Sequence, residues 1–150
     1  MRYVTRRLAP GDERVWRAAV ERIIAPIDRD GELISARDFA GALADNRCYM
    51  LLAESGGVAQ GLLSAYRFPD LEAGGSIVYL YDIEVVAAAR QQGIGTSLLE
   101  ALLALCDAND VSLVWAGTEA HNLPARRAFE ATGAELEGER CVGYEWDLER

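Results

Sequence analysis

The segment from Ile77 to Cys106 constrains the fold more than any other, because its apolar spacing changes from a period of two to one near 3.6 across a single glycine-bearing turn. Ile77, Tyr79, Tyr81, Ile83 and Val85 alternate with Val78, Leu80, Asp82 and Glu84. This predicts a strand with the two sets on opposite faces and two carboxylates side by side at its C-terminal end. Further on, Ile94, Leu98, Leu99, Leu102, Leu103, Leu105 and Cys106 predict a helix with a broad buried stripe. Between them lies Arg90-Gln91-Gln92-Gly93-Ile94-Gly95. The N–H groups over 91–96 have no intrahelical acceptor, and Gly93 and Gly95 let a ligand approach the main chain. The turn therefore suits an anion such as phosphate, with Arg90 adding positive charge at its mouth.

The spacing R-x-x-G-x-G is neither the dinucleotide fingerprint G-x-G-x-x-G nor a G-K-[ST] phosphate loop, which argues against nicotinamide-dinucleotide and nucleoside-triphosphate chemistry. A glycine turn alone also serves plain geometry, so its surroundings must decide. Arg2 to Leu8 reads as a strand, and Asp12 to Ile24 as a helix with Val15, Trp16, Ala19, Val20, Ile23 and Ile24 on one side, ended by Pro26. Ser35 followed by Asp38 opens a second helix. Cys48 to Ala53 and Val58 to Phe68 form a hairpin around Gly56-Gly57, and Leu71 to Gly75 is a loop. Val111 to Ala116 is a strand, and Asn122 caps a helix with Pro124 in its first turn and Gly133 at its end. Leu136 and Val142 to Leu148 are expected to form a last antiparallel hairpin. This order predicts an α/β (α+β) fold: a mixed, mostly antiparallel central sheet flanked by helices on both faces, formed by one domain over residues 1–150.

A chain of 150 residues can bury about 70% of its unfolded surface in one core, and 51% hydrophobic content excludes a disordered chain. No apolar run approaches the ~20 residues of a membrane span, and the charged start Met1 to Pro10 lacks the apolar core of a secretory signal. A cytoplasmic location without a membrane partner is expected. Cys48, Cys106 and Cys141 form no C-x-x-C pair and read as reduced, inert thiols, and with one histidine they offer no usual metal site. The net charge of −9 opposes nucleic-acid binding and favours a cationic partner.

On these residues the chain resembles the GNAT superfamily of acetyl-coenzyme A-dependent N-acetyltransferases. Arg90 to Gly95 matches that family's [QR]-x-x-G-x-[GA] pyrophosphate loop, placed after the strand that ends at Val85. Asn122 to Gly133, NLPARRAFEATG, matches the segment that grips the coenzyme's lower arm, and the likeness covers residues 45–148. Within the superfamily the chain is most similar to small aminoglycoside 3-N-acetyltransferases. It shares the Tyr81-Asp82 pair in the strand from Tyr79 to Val85, Ala65-Tyr66 followed by Pro69, Pro124-Ala125, and an acidic end at Glu145, Asp147 and Glu149. Two positions depart from the pattern. Gly95 stands where that group has alanine, and Phe129 where many members have the tyrosine that protonates the departing thiolate. A phenyl ring has no proton to give, so the general acid must be another group or water.

The resemblance implies acetyl-coenzyme A as co-substrate and no metal. It places the main chain of Ile83 and Val85 beside the pantetheine arm, and Gln91, Gln92, Gly93, Ile94, Gly95 and Thr96 on the pyrophosphate with Arg90 as charge partner. Ala125, Phe129 and Asn122 would lie at the coenzyme, although Asn122 serves equally well as a helix cap. Asp82 and Glu84 are the candidate bases for removing a proton from the amine, Asp82 first because the subfamily's aspartate stands there. Neighbouring carboxylates raise each other's proton affinity and attract a cationic amine. Acceptor binding falls to Tyr81, Asp82, Glu84, Glu119, Glu145 and Asp147, with Asp28, Asp30 and Glu32 as lesser contributors. His121 is either an exposed loop residue or a proton shuttle. The expected reaction is acetylation of an amine on a polycationic small molecule, foremost the 3-amino group of an aminoglycoside antibiotic, which confers resistance. The alternatives are the same transfer to a polyamine, a protein N-terminus or a metabolite, and a non-catalytic acyl-coenzyme A sensor. Phe129 favours the sensor and the carboxylate pair opposes it. A homodimer is expected from the resemblance alone.

Overall fold

The computed structural model describes residues 2–24, 36–138 and 143–148. Strand β1 (Val4–Arg7) leads into helices α1 (Glu13–Ile23) and α2 (Ala36–Ala44), then strands β2 (Cys48–Ser55), β3 (Val58–Pro69) and β4 (Ser76–Val85). A short 3-10 turn (Ala87–Ala89) precedes helix α3 (Ile94–Ala108), strand β5 (Val111–Ala116) and helix α4 (Leu123–Ala131). The five strands lie in sequence order, antiparallel except for the parallel pair β4–β5. Gly56 and Gly57 both take positive φ (58° and 77°), the conformation a tight turn between β2 and β3 requires of both central residues.

Helices cover both faces, as the apolar spacing predicts. On one side Trp16, Ala19, Val20 and Ile23 of α1 and Leu43 of α2 pack on Met50, Leu52 and Leu62. On the other, Ile94, Leu98, Leu99, Leu102 and Cys106 of α3 pack on Leu51, Leu63, Val78 and Leu80, each such buried side chain contributing about 1.5–3 kcal/mol. The stripe on α3 is narrower than its leucine content predicts: Leu103 is exposed because it falls off the row that faces the sheet, and on α1 Val15 is exposed likewise. Gly61 of β3 lets α3 sit close. A Cβ there would lie 2.9 Å from Ile94 Cγ2 and 3.1 Å from Leu98 Cδ1.

Two expectations are corrected. In β4 the alternation does not run through, because the register with β3 passes from Ala65↔Leu80 to Ser64↔Asp82 and leaves Tyr81 without an opposite residue. This β-bulge reverses the phase of the strand. Val78 and Leu80 thus share the α3 face with Ile83 and Val85, while Tyr79 and Tyr81 join Asp82 and Glu84 on the other. The carboxylates remain together on one face. The expected closing hairpin is also not formed among the described residues: 134–138 and 143–148 carry no strand, and Leu136, Tyr144, Trp146 and Leu148 are exposed. Alternation gives a segment two faces but supplies no partner strand, and without a ladder it stays irregular. Asp28, Asp30, Glu32, Ser35 and Cys141, and the end set by Pro26, lie outside the described residues.

Candidate active site

Strands β4 and β5 pair from Ser76↔Val111 to Leu80↔Ala116 and then part, so β4 runs on to Val85 with an open edge. The polarity of that edge follows from its other side. Val86 N–H donates to Gln60 O at 2.9 Å while Gly61 and Val85 are register partners, which makes Gly61–Val85 a non-hydrogen-bonded pair. The N–H and C=O of Val85, and by alternation those of Ile83, therefore face the gap left by β5. An extended amide chain could add there as a strand. Arg90 Nε donates to Val85 O at 3.2 Å, so its guanidinium closes the end of this gap.

The gap ends at the glycine turn. Gly93 takes φ 80° as the N-cap of α3, and Ser97 N–H donates to Gly93 O at 2.9 Å. That leaves the N–H groups of Ile94, Gly95 and Thr96 as the orphan donors of the first turn. A Cβ at Gly95 would meet nothing within 4 Å, so the approach to these donors is open. Gln91 is held at φ 63°, a conformation costing a non-glycine residue about 1–2 kcal/mol. The turn is braced by Gln92, whose Oε1 accepts from the Tyr3 hydroxyl and whose Nε2 donates to Ala88 O at 3.5 Å. Orphan N–H groups, a helix N-terminus and Arg90 together fit a diphosphate, and the open edge of β4 fits the amide arm joined to it.

Asp82 and Glu84 stand on the opposite face of β4, facing Ser64 and Leu62 across the register. Ser64, buried within the sheet, donates its hydroxyl to Asp82 Oδ2 at 2.7 Å. Burial pushes the Glu84 carboxyl above its ordinary value, with Arg90 pulling it down and the charge of Asp82 adding to the rise. A carboxylate so placed is a better proton acceptor near neutral pH than a solvated one. Burial also pushes up the Tyr66 hydroxyl and the Cys48 and Cys106 thiols, which keeps both thiols protonated and unreactive.

Tyr81, Asp82, Ile83, Glu84 and Val85 thus meet the 90–96 turn at one end of β4. Further along the chain, Asn122 Oδ1 accepts from Ala125 N–H at 3.3 Å, which makes Asn122 the cap of α4, with Pro124 in its first turn. The Phe129 ring packs against the α3 side of the core. Glu119 turns to its neighbour, forming a 2.9 Å pair with His121 Nε2 in the loop after β5. Glu145 and Asp147 lie on the exposed segment 143–148, outside the strand ladder. Sequence reading missed Ser64, Tyr3 and Gly61, whose roles depend on register and on the return of β1 to the glycine turn rather than on any local pattern.

The sheet thus opens between two parallel strands, beside a glycine turn at a helix N-terminus and a carboxylate ledge, an arrangement with room and donors for a phosphate-bearing ligand. The chain belongs to the acetyltransferase (GNAT) family, whose model matches residues 14–134. Members of this family are acyl-coenzyme A-dependent N-acetyltransferases. Solved structures share the fold at low identity. The aminoglycoside acetyltransferase meta-AAC0020 from an uncultured soil metagenomic sample, in complex with sisomicin, superposes with a TM-score of 0.89 at 20% identity over 98% of this chain and 97% of that one. AAC(6')-Iy in complex with the bisubstrate analogue CoA-S-monomethyl-acetylneamine gives 0.76 at 20% identity over 98% and 99%. The ribosomal-protein-alanine N-acetyltransferase from Brucella melitensis biovar Abortus 2308 gives 0.74 at 17% over 97% and 100%. No described helix is long and apolar enough to cross a membrane.

Proposed function

We propose that this enzyme acetylates an amine of an aminoglycoside, with acetyl-coenzyme A as donor. The observation that carries the reading is the ledge of Asp82 and Glu84 beside the open edge of β4: two carboxylates, one half-buried with raised proton affinity, face the place where a cationic amine must lose a proton. The net charge of −9 concentrates such an acceptor, and neighbours of the same fold are described with sisomicin and an acetylneamine conjugate bound.

Residues 91–96 and Arg90 hold the diphosphate, and the main chain of Ile83 and Val85 holds the arm. Ala125 and Phe129 border it. When bound, acetyl-coenzyme A supplies a thioester carbonyl to a neutral amine. Sequence reading ranks Asp82 first as base; we assign the step to Glu84 because burial pushes its carboxyl above the ordinary value. Glu84 takes the proton from the amine nitrogen, while Asp82, fixed by Ser64, holds a neighbouring ammonium with Tyr81 beside it. A main-chain N–H of the β4 edge donates to the carbonyl oxygen as charge gathers there. Phe129 donates no proton, so water or the released amine proton serves the thiolate. The 3-amino position and a homodimer are carried by the resemblance of the chain to the aminoglycoside group. Glu119, Glu145 and Asp147 add to the negative charge that attracts the acceptor.

Thiol release from acetyl-coenzyme A tests the reading against sisomicin, a linear polyamine and an alanine-terminated peptide. Release with sisomicin at the highest kcat/KM is expected. Release only with the peptide or the polyamine would assign the ledge to that amine instead.

A further inference from the structure

Beyond the ledge, the sheet face over β4 and β5 carries a continuous aromatic row. Tyr66 meets Tyr81 edge-on (6.0 Å), Tyr81 meets Tyr79 edge-on (5.9 Å), and Tyr79 stacks on Trp115 at 4.9 Å and 20°. The bulge makes this row, because without the extra residue Tyr79 and Tyr81 could not share a face with Asp82. Tyr81 is 65% exposed and Trp115 43%. Among the described residues α1 and α2 pack on β2 and β3, and of the row only Tyr66 is packed against that cluster. The surface is dished rather than flat: a depression of about 390 Å³ is lined by Phe68, Ile77, Val78, Tyr79, Leu113 and Trp115. At its far end Trp115 Nε1–H donates to Glu137 Oε2 at 2.6 Å, which fixes a carboxylate against the indole edge.

We propose that this row is a second acceptor subsite, on which the sugar rings beyond the reacting one lie, with a distal ammonium held between the Trp115 ring and Glu137. The inference rests on the aminoglycoside reading and deepens it. Aromatic faces reward the apolar C–H faces of six-membered rings and attract a cation, and carboxylates stand at both ends of the row. Because of the bulge, Asp82 and Tyr79 stand opposite Ser64 and Tyr66, so two residue rises along the ladder and one strand across separate Asp82 from Trp115 by roughly 8 Å, a span suited to linked rings. A linear polyamine would satisfy the two ends but leave the aromatic faces without a matching surface. A single ring would occupy the ledge and reach neither Trp115 nor Glu137.

The test compares sisomicin, which has three rings, with 2-deoxystreptamine, which has one, in wild type, Trp115→Ala, Trp115→Phe and Glu137→Gln. Turnover is read by thiol release and sisomicin binding by calorimetry, with sedimentation of each variant. The expected result is that Trp115→Ala raises KM for sisomicin at least ten-fold more than for 2-deoxystreptamine, that Trp115→Phe restores most of the difference, and that Glu137→Gln gives a smaller, salt-sensitive rise. Equal effects on both acceptors, or none, overturn the subsite while leaving the aminoglycoside reading intact. Failure of wild type to bind or acetylate sisomicin overturns both. A wild-type dimer that Trp115→Ala dissociates would make the row an interface between copies and overturn the proposal.

Discussion

Replacing Glu84 by Gln keeps the size of the side chain and removes its capacity to take a proton. General-base catalysis is worth about 10²- to 10⁴-fold, so kcat should fall by that factor, about 2.7–5.4 kcal/mol of barrier. The structure adds two signs to this magnitude. Burial raises the Glu84 carboxyl, so the acidic limb of kcat in wild type should lie above the ordinary carboxylate range. Asp82 contributes to the rise as a like charge, so Asp82→Asn should move that limb to lower pH, and Glu84→Gln should abolish it. Stability should move the opposite way to activity. The folded protein binds the Glu84 proton more tightly than the unfolded chain, so wild-type stability falls as pH rises from the ordinary carboxylate range through the raised folded value. Glu84→Gln removes that loss and should melt higher than wild type at neutral pH, with the difference closing below about pH 4. The assays are thiol release across pH with saturating donor and acceptor, and thermal melting at the same pH values. A fall in kcat of less than about three-fold with the acidic limb intact would refute the assignment of Glu84.

Four further outcomes are expected. Tyr3→Phe removes the hydroxyl that braces Gln92 and should raise KM for acetyl-coenzyme A about two- to ten-fold, the equivalent of one hydrogen bond, with little change in kcat. Gly61→Ala pushes a methyl group into Ile94 and Leu98 and should cost about 1–3 kcal/mol, read as a lower melting temperature. Asn122→Ala should destabilise by about 1 kcal/mol without changing KM for acetyl-coenzyme A, because its carbonyl caps α4; a KM rise without a melting shift would make it a coenzyme contact. KM for sisomicin should rise with ionic strength, and a constant value would remove charge attraction from the account.

The unit from β4 through the glycine turn to α3 was legible in the sequence because each part carries its own local signal: alternation, glycines, then a helical stripe. The Gly56-Gly57 hairpin and the Asn122 cap were legible for the same reason. The bulge was not, since a tyrosine is tolerated on either face of a half-buried strand and Tyr81 gives no sign that it lacks an opposite residue. Its consequence, the joining of Tyr79 and Tyr81 to the carboxylate face, was hidden with it. Ser64 and Tyr3 were invisible because their partners, Asp82 and Gln92, are distant in sequence. The rise in the Glu84 carboxyl could not be read either: both carboxylates lie on one face by spacing alone, and the desolvation at Glu84 depends on the fold around it.

The most direct measurement is the stoichiometry of the reaction itself. Purified enzyme is mixed with acetyl-coenzyme A and sisomicin, free thiol is counted, and the acceptor is examined by mass spectrometry and NMR. One acetyl group on a sisomicin amine is expected for each thiol released, with both products lost together in Glu84→Gln. Thiol release without acetylated sisomicin, or acetylation that persists undiminished in Glu84→Gln, would contradict it.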